Sequence, residues 1–167
     1  MLDPNLIAPQ AFAGQAQTLS GSFRLNELDG RLSSHEYLAD QSAAAAFSLR
    51  GGKDRWQRPY ADLSVQAELS LYCQRCLQPM PYLLDESVRI VWFADEEKLD
   101  EAMLADEELE GMVMSEVLDV RGLVEDQILM AMPLSPRHED CGNEVLSQVN
   151  QDRPNPFAVL AGLKSNT

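Results

Sequence analysis

Polar and apolar residues alternate without a break from Asp62 to Cys73. Leu63, Val65, Ala67, Leu69, Leu71 and Cys73 share one parity, and Asp62, Ser64, Gln66, Glu68 and Ser70 take the other. Successive side chains of a strand point to opposite faces, so the pattern predicts a strand buried on one side and wet on the other. After the stretch CQRCLQPMP, Tyr82, Leu84, Val88, Ile90 and Trp92 again fall on one parity, interrupted by Glu86, which predicts a second strand antiparallel to the first. Upstream, Ala43, Ala45, Phe47 and Leu49 predict a third, closed by a turn at Gly51-Gly52. Together they make an antiparallel meander whose apolar face needs a cover.

Helical periodicity supplies that cover. Val120, Leu123, Val124, Ile128 and Ala131 recur at helical spacing, with Asp119 as N-cap and Pro133 as the stop, so a helix reaching about Met132 is predicted to pack on the sheet. Near the end, Asn155 and Pro156 read as a cap and first-turn proline, and Phe157, Leu160 and Ala161 as a short apolar stripe. A helix that short is marginal alone in water, so it must dock on its own domain or on a partner. Asn155, Pro156, Phe157 and Leu160 are therefore candidate partner contacts. Pro4 to Leu19 and Leu25 to Leu38 read as weakly helical, with Gly14, Gly21 and Gly30 blurring their ends. The expected class is α+β: an antiparallel sheet, meander or partial barrel, covered by helices and followed by a short C-terminal helix.

The 167 residues suit one domain with a sizeable core. Within it, 1–40 is a helical and strand segment, 95–111 an acidic stretch, and 153–167 the terminal helix and tail. No apolar run approaches the ~20 residues of a membrane span, and the first residues lack the pattern of a signal peptide, so a cytoplasmic protein is expected.

Charge separates the segments further. Of the net −14, the sixteen residues from Asp95 to Glu110 hold −8, nine carboxylates against Lys98 alone. Such a chain is a poor general binder of nucleic acid, because phosphate neutralisation needs clustered Lys and Arg. One loop departs from the trend: Arg50, Lys53, Arg55 and Arg58 against Asp54 give +3, with Trp56 and Tyr60 interleaved. Arg50, Lys53, Arg55, Trp56 and Arg58 are candidate RNA contacts, the other reading being a solvated hairpin loop. The acidic run reads either as a solvated segment or as a docking surface for a basic partner.

Three cysteines is an odd number, and Cys73 and Cys76 are too close in sequence to be half of a secreted disulfide framework. Cys73 and Cys76 form a CxxC on a hairpin tip, and His138 and Cys141 supply the matching pair. Two-residue gaps let each pair converge on one tetrahedral ion, and thiolate with imidazole is a zinc donor set. Four donors would close the site, making a zinc ion structural. The plainer alternative leaves Cys73 as a small buried hydrophobe on its strand. A thiol-redox or metal-dependent enzyme is the remaining rival. Redox activation favours a helix N-terminus, whereas strands flank this motif. No paired carboxylates, Ser/His/Asp set, P-loop or GxGxxG is present, so an enzyme is not expected.

Three segments in order carry a family likeness: CQRCLQPM at 73–80, DVRGLVEDQILMAMPLSPRHEDC at 119–141 and RPNPFAVLAGLK at 153–164. They resemble the successive signatures of the YceD family, the large ribosomal RNA subunit accumulation proteins, in their proteobacterial form. That resemblance implies a non-catalytic ribosome-biogenesis factor needed for accumulation or processing of large-subunit ribosomal RNA. Its expected partner is a basic ribosomal protein or a precursor particle, with direct RNA binding through the 50–60 loop as the alternative.

Overall fold

The alternating stretch becomes the centre of a five-stranded sheet in a computed structural model that describes residues 3–141 and Phe157. The elements run β1 (Leu6–Ile7), α1 (Pro9–Gly14), β2 (Thr18–Arg24), a 3-10 turn (Leu25–Glu27), α2 (Gly30–Ser33), β3 (Ala44–Lys53), β4 (Pro59–Tyr72) and β5 (Pro79–Phe93). They continue with α3 (Glu96–Ala105), β6 (Glu110–Val113), β7 (Leu118–Asp119) and α4 (Val120–Ala131). Strands β3 to β5 form the expected antiparallel meander, β2 extends it beyond β3 as a strand the pattern did not predict, and β4 pairs with β5 from Tyr60↔Val91 to Tyr72↔Pro79. The sheet stays open, in the order β2-β3-β4-β5-β6, and β1 pairs separately with β7. The class is α+β.

Burial follows the parity read from the sequence. Leu63, Val65, Leu69 and Leu71 of β4 are buried, as are Phe47 and Leu49 of β3 and Leu84 and Trp92 of β5. Val120, Val124 and Ile128 of α4 meet them in one core, together with Phe12, Leu25 and Leu32. Burying each such large aliphatic side chain is worth about 1.5–3 kcal/mol relative to leaving it in water. Asp119 caps α4 through Arg121 N–H at 2.9 Å, and the helix stops at Ala131, two residues before Pro133. A buried carboxylate ties α4 to α2: Glu125 Oε2 accepts from Asp29 N–H at 3.0 Å. Its Oε1 lies 2.9 Å from the Arg31 guanidinium, an ion pair without hydrogen-bond alignment.

Several expectations are corrected. Gly51-Gly52 is not a turn; β3 runs through to Lys53, and the reversal falls at Asp54, whose carboxylate accepts from Trp56 and Arg58 N–H. The glycines are there because other residues lie across the backbone. A Cβ on Gly51 would stand 2.6 Å from the Phe12 carbonyl oxygen, and one on Gly52 2.7 Å from the Tyr60 ring. Pro4 to Leu19 holds only the six residues of α1 as helix, between strands, and Leu25 to Leu38 only the 3-10 turn and the four residues of α2. Ten residues of the acidic stretch are helical, as α3, which forms the crossover to β6, a strand paired parallel to β5. The terminal segment from Arg153, with Asn155, Pro156 and Leu160, lies outside the described residues.

Candidate metal centre

The β4–β5 hairpin ends in a knuckle. Cys73 follows the last residue of β4, its N–H donates to the Gln78 carbonyl, and Leu77 N–H returns to the Cys73 carbonyl at 2.9 Å. Leu77 completes the reversal at φ 59°, in the left-handed region. The turn therefore folds Cys76 back beside Cys73. The segment after α4 is fastened against it by two bonds that the sequence did not reveal. Gln74 N–H donates to the Pro136 carbonyl at 2.7 Å, and the Arg75 guanidinium donates to the Cys141 carbonyl at 2.6 Å. Arg75 thereby clamps the hairpin tip to the stretch of chain that carries His138 and Cys141.

Those fastenings bring together the four residues that spacing had paired. The donor atoms of Cys73, Cys76, His138 and Cys141 all lie within 4.8 Å of one another. Cys73 Sγ is 3.3 Å from Cys141 Sγ, and Cys76 Sγ is 3.3 Å from His138 Nδ1. A tetrahedral ion with Zn–S bonds of ~2.3 Å sets its sulfurs roughly 3.8 Å apart, inside the range observed. Three thiols and one imidazole are donors a borderline-soft ion prefers, so this cluster could hold a metal. Around a tetrahedral ion these four donors would fill every position with protein.

The electrostatics of Cys73 suit a ligand. Burial pushes its thiol up, but N–H groups of Cys76, His138 and Arg75 aimed at the sulfur, with the Cys141 thiol, outweigh it and hold the pKa at about 5. Burial and the neighbouring sulfurs push the Cys141 thiol the other way, up from its ordinary value. A depressed acid stabilises the fold fully above its unfolded value, ~8.5 for a thiol, and loses that contribution as pH falls through about 5. Metal-free protein at pH 7 should therefore show thiolate ultraviolet absorbance that disappears on acidification through about 5 and is absent from Cys73→Ser. Absorbance rising only near the ordinary thiol value would contradict this arrangement.

The basic loop is differently placed from its sequence reading. Arg50 and Lys53 sit on β3, and only residues 54–58 form the tip. Arg58 is spent on Asp54 at 2.7 Å, and the guanidiniums of Arg55 and Arg58 lie 3.8 and 4.5 Å from the centre of the Trp56 ring, which remains 60% exposed. Arg50, Lys53 and Arg55 have no acidic partner among the described residues. Beside them, Arg89 is held by both oxygens of Asp62 and stacks on Tyr60 at 4.0 Å. Of the partner-contact candidates only Phe157 is described, and it is exposed. Among the described residues no helix is long and apolar enough to cross a membrane.

The family model described as large ribosomal RNA subunit accumulation protein YceD matches residues 61–164, more than half of the chain. That span begins in β4 and includes all four ligands of the cluster. The protein of that name from Haemophilus influenzae is 34% identical over 109 residues, which cover 60% of this chain and 62% of the relative. No solved structure matches.

Proposed function

The chain belongs to the YceD family of large ribosomal RNA subunit accumulation proteins, and from that premise we propose that it serves accumulation of large-subunit ribosomal RNA by binding, without catalysis. Its partner in this reading is a basic ribosomal protein or a precursor particle that carries one, met in the cytoplasm. The observation that carries the reading is the placement of the acidic charge. α3 buries none of its side chains, holds the centre of the −8 segment, and leaves Met103 and Leu104 exposed, the latter at 87%. Helical carboxylates interleaved with apolar side chains complement a basic amphipathic partner and repel phosphate.

A structural zinc ion at Cys73, Cys76, His138 and Cys141 completes the proposal. It would pin the hairpin tip to the segment after α4, and a site closed by four protein ligands has no position for substrate. Direct RNA binding through Arg50, Lys53, Arg55, Trp56 and Arg58 is the weaker reading, because Arg58 is already paired and guanidiniums stack on the tryptophan.

Replacing Glu96, Glu97, Asp100 and Glu101 by glutamine tests the reading with little risk to the fold, since all four are exposed. Co-sedimentation of the full chain with large-subunit precursors should fall by about tenfold or more, the cost of a few rim charges acting together. Unchanged co-sedimentation, with loss instead on neutralising Arg50, Lys53 and Arg55, would move the contact to the hairpin and to RNA.

A further inference from the structure

We infer that the cleft between α4 and the β5–β6 edge is the anchor site for this basic partner, taking one large apolar side chain from an otherwise Lys- or Arg-rich segment. The inference rests on the reading above, that the acidic surface engages a basic protein. α4 turns Val124 and Ile128 into the core, which leaves Leu123 half-buried and Met130 72% exposed on its flank toward β6. Facing them are Val88 and Ile90, on the core-facing parity of β5, and Met112 of β6, all half-buried. The cleft they wall is about 240 Å³. That is below the roughly 300–1,000 Å³ of small-molecule sites and of a size for a single anchoring side chain.

Its chemistry selects the flanks of the anchor. Two flexible thioethers let the walls adapt to aliphatic or aromatic guests. Asp126 and Glu110 stand at the rim; Asp126 is taken by Arg31 at 3.0 Å, but Glu110 has no cationic partner among the described residues. Glu110 is also the last carboxylate of the acidic segment, so the cleft continues the surface that α3 begins. A lysine or arginine beside the anchor meets Glu110 and then the helix, whereas a phosphate chain is repelled along the same path.

The test uses the full chain with benzoylphenylalanine placed at Met130, and two short labelled peptides of Lys, Arg and Gly, one with a central Phe and one with Ala there. The Phe peptide should bind about tenfold tighter or more, from burial of one aromatic side chain, and photocrosslink at position 130. Met130→Gln and Leu123→Gln should erase its advantage while leaving the Ala peptide's affinity unchanged, and Met130 is exposed enough for its variant to fold. Equal binding of both peptides overturns the anchor and leaves the acidic-surface reading standing. Failure of both peptides to bind removes the two together. Crosslinks from position 130 to the chain's own residues 142–167, to a second copy, or to an oligouridine strand in place of the peptide would give the cleft another occupant and overturn the inference.

Discussion

Stripping metal from the four-ligand cluster should lower the midpoint of thermal unfolding by about 8–16 °C. The size follows from linkage: an ion that binds only the folded state, at a free concentration a thousandfold above Kd, contributes about 4 kcal/mol, and in a protein of this size each kcal/mol moves the midpoint by ~2–4 °C. Circular dichroism melts with and without chelator measure it, beside elemental analysis of the purified protein. Cys76→Ala is the informative variant. Cys73 is wholly buried on the core parity of its strand, so its loss would mix packing with ligation, whereas Cys76 is half-buried. The Cys76→Ala melt should sit near that of the stripped protein and no longer respond to chelator. Superimposable melts in all conditions would leave the thiols as buried hydrophobes, and a turnover lost with Cys76 would revive the enzyme rival.

Ile128→Ala should cost about 2–5 kcal/mol, read as a lower urea midpoint with the slope retained. Ile128 is fully buried where α4 meets the sheet, and truncation leaves a cavity that the long β4–β5 ladder is too rigid to fill. The Tyr82 hydroxyl, donating to the Ala131 carbonyl at 3.2 Å, holds the same end of the helix on β5. Since α4 leads straight into the segment bearing His138 and Cys141, the variant should also bind metal more weakly. Two faces of the helix are thereby set against each other: Met130→Ala, on the exposed side, should change stability by no more than about 0.5 kcal/mol. Equal effects at the two positions would mean that α4 does not cover the sheet through this face.

What the sequence made legible was whatever repeated. Six alternating apolar positions from Leu63 to Cys73 and five along α4 are signals that local chemistry can carry, and Asp119 and Pro133 bracket the helix as expected. The four donors could be paired from two-residue gaps alone, because a knuckle is a local object, and the fold brings the two pairs into one cluster. Elements of two to four residues, β1, β6, β7 and α2, are too short to show a period, and tertiary pairing decides them. Gly51-Gly52 misled for a definite reason: a glycine pair is usually a turn, but here the missing side chains admit Phe12 on one side and Tyr60 on the other. The bonds from Gln74 and Arg75 to residues past α4 were invisible, since neither a backbone N–H nor a guanidinium names a carbonyl more than sixty residues away.

That separation also sets an order of events. A clasp joining Cys73 and Cys76 to His138 and Cys141 spans the hairpin and the helix between them, so its free energy is expected to arrive late, on the native side of the rate-limiting barrier. An ion seated there would govern how long a finished molecule lasts before it opens, and would have little hold on how quickly a new chain collapses.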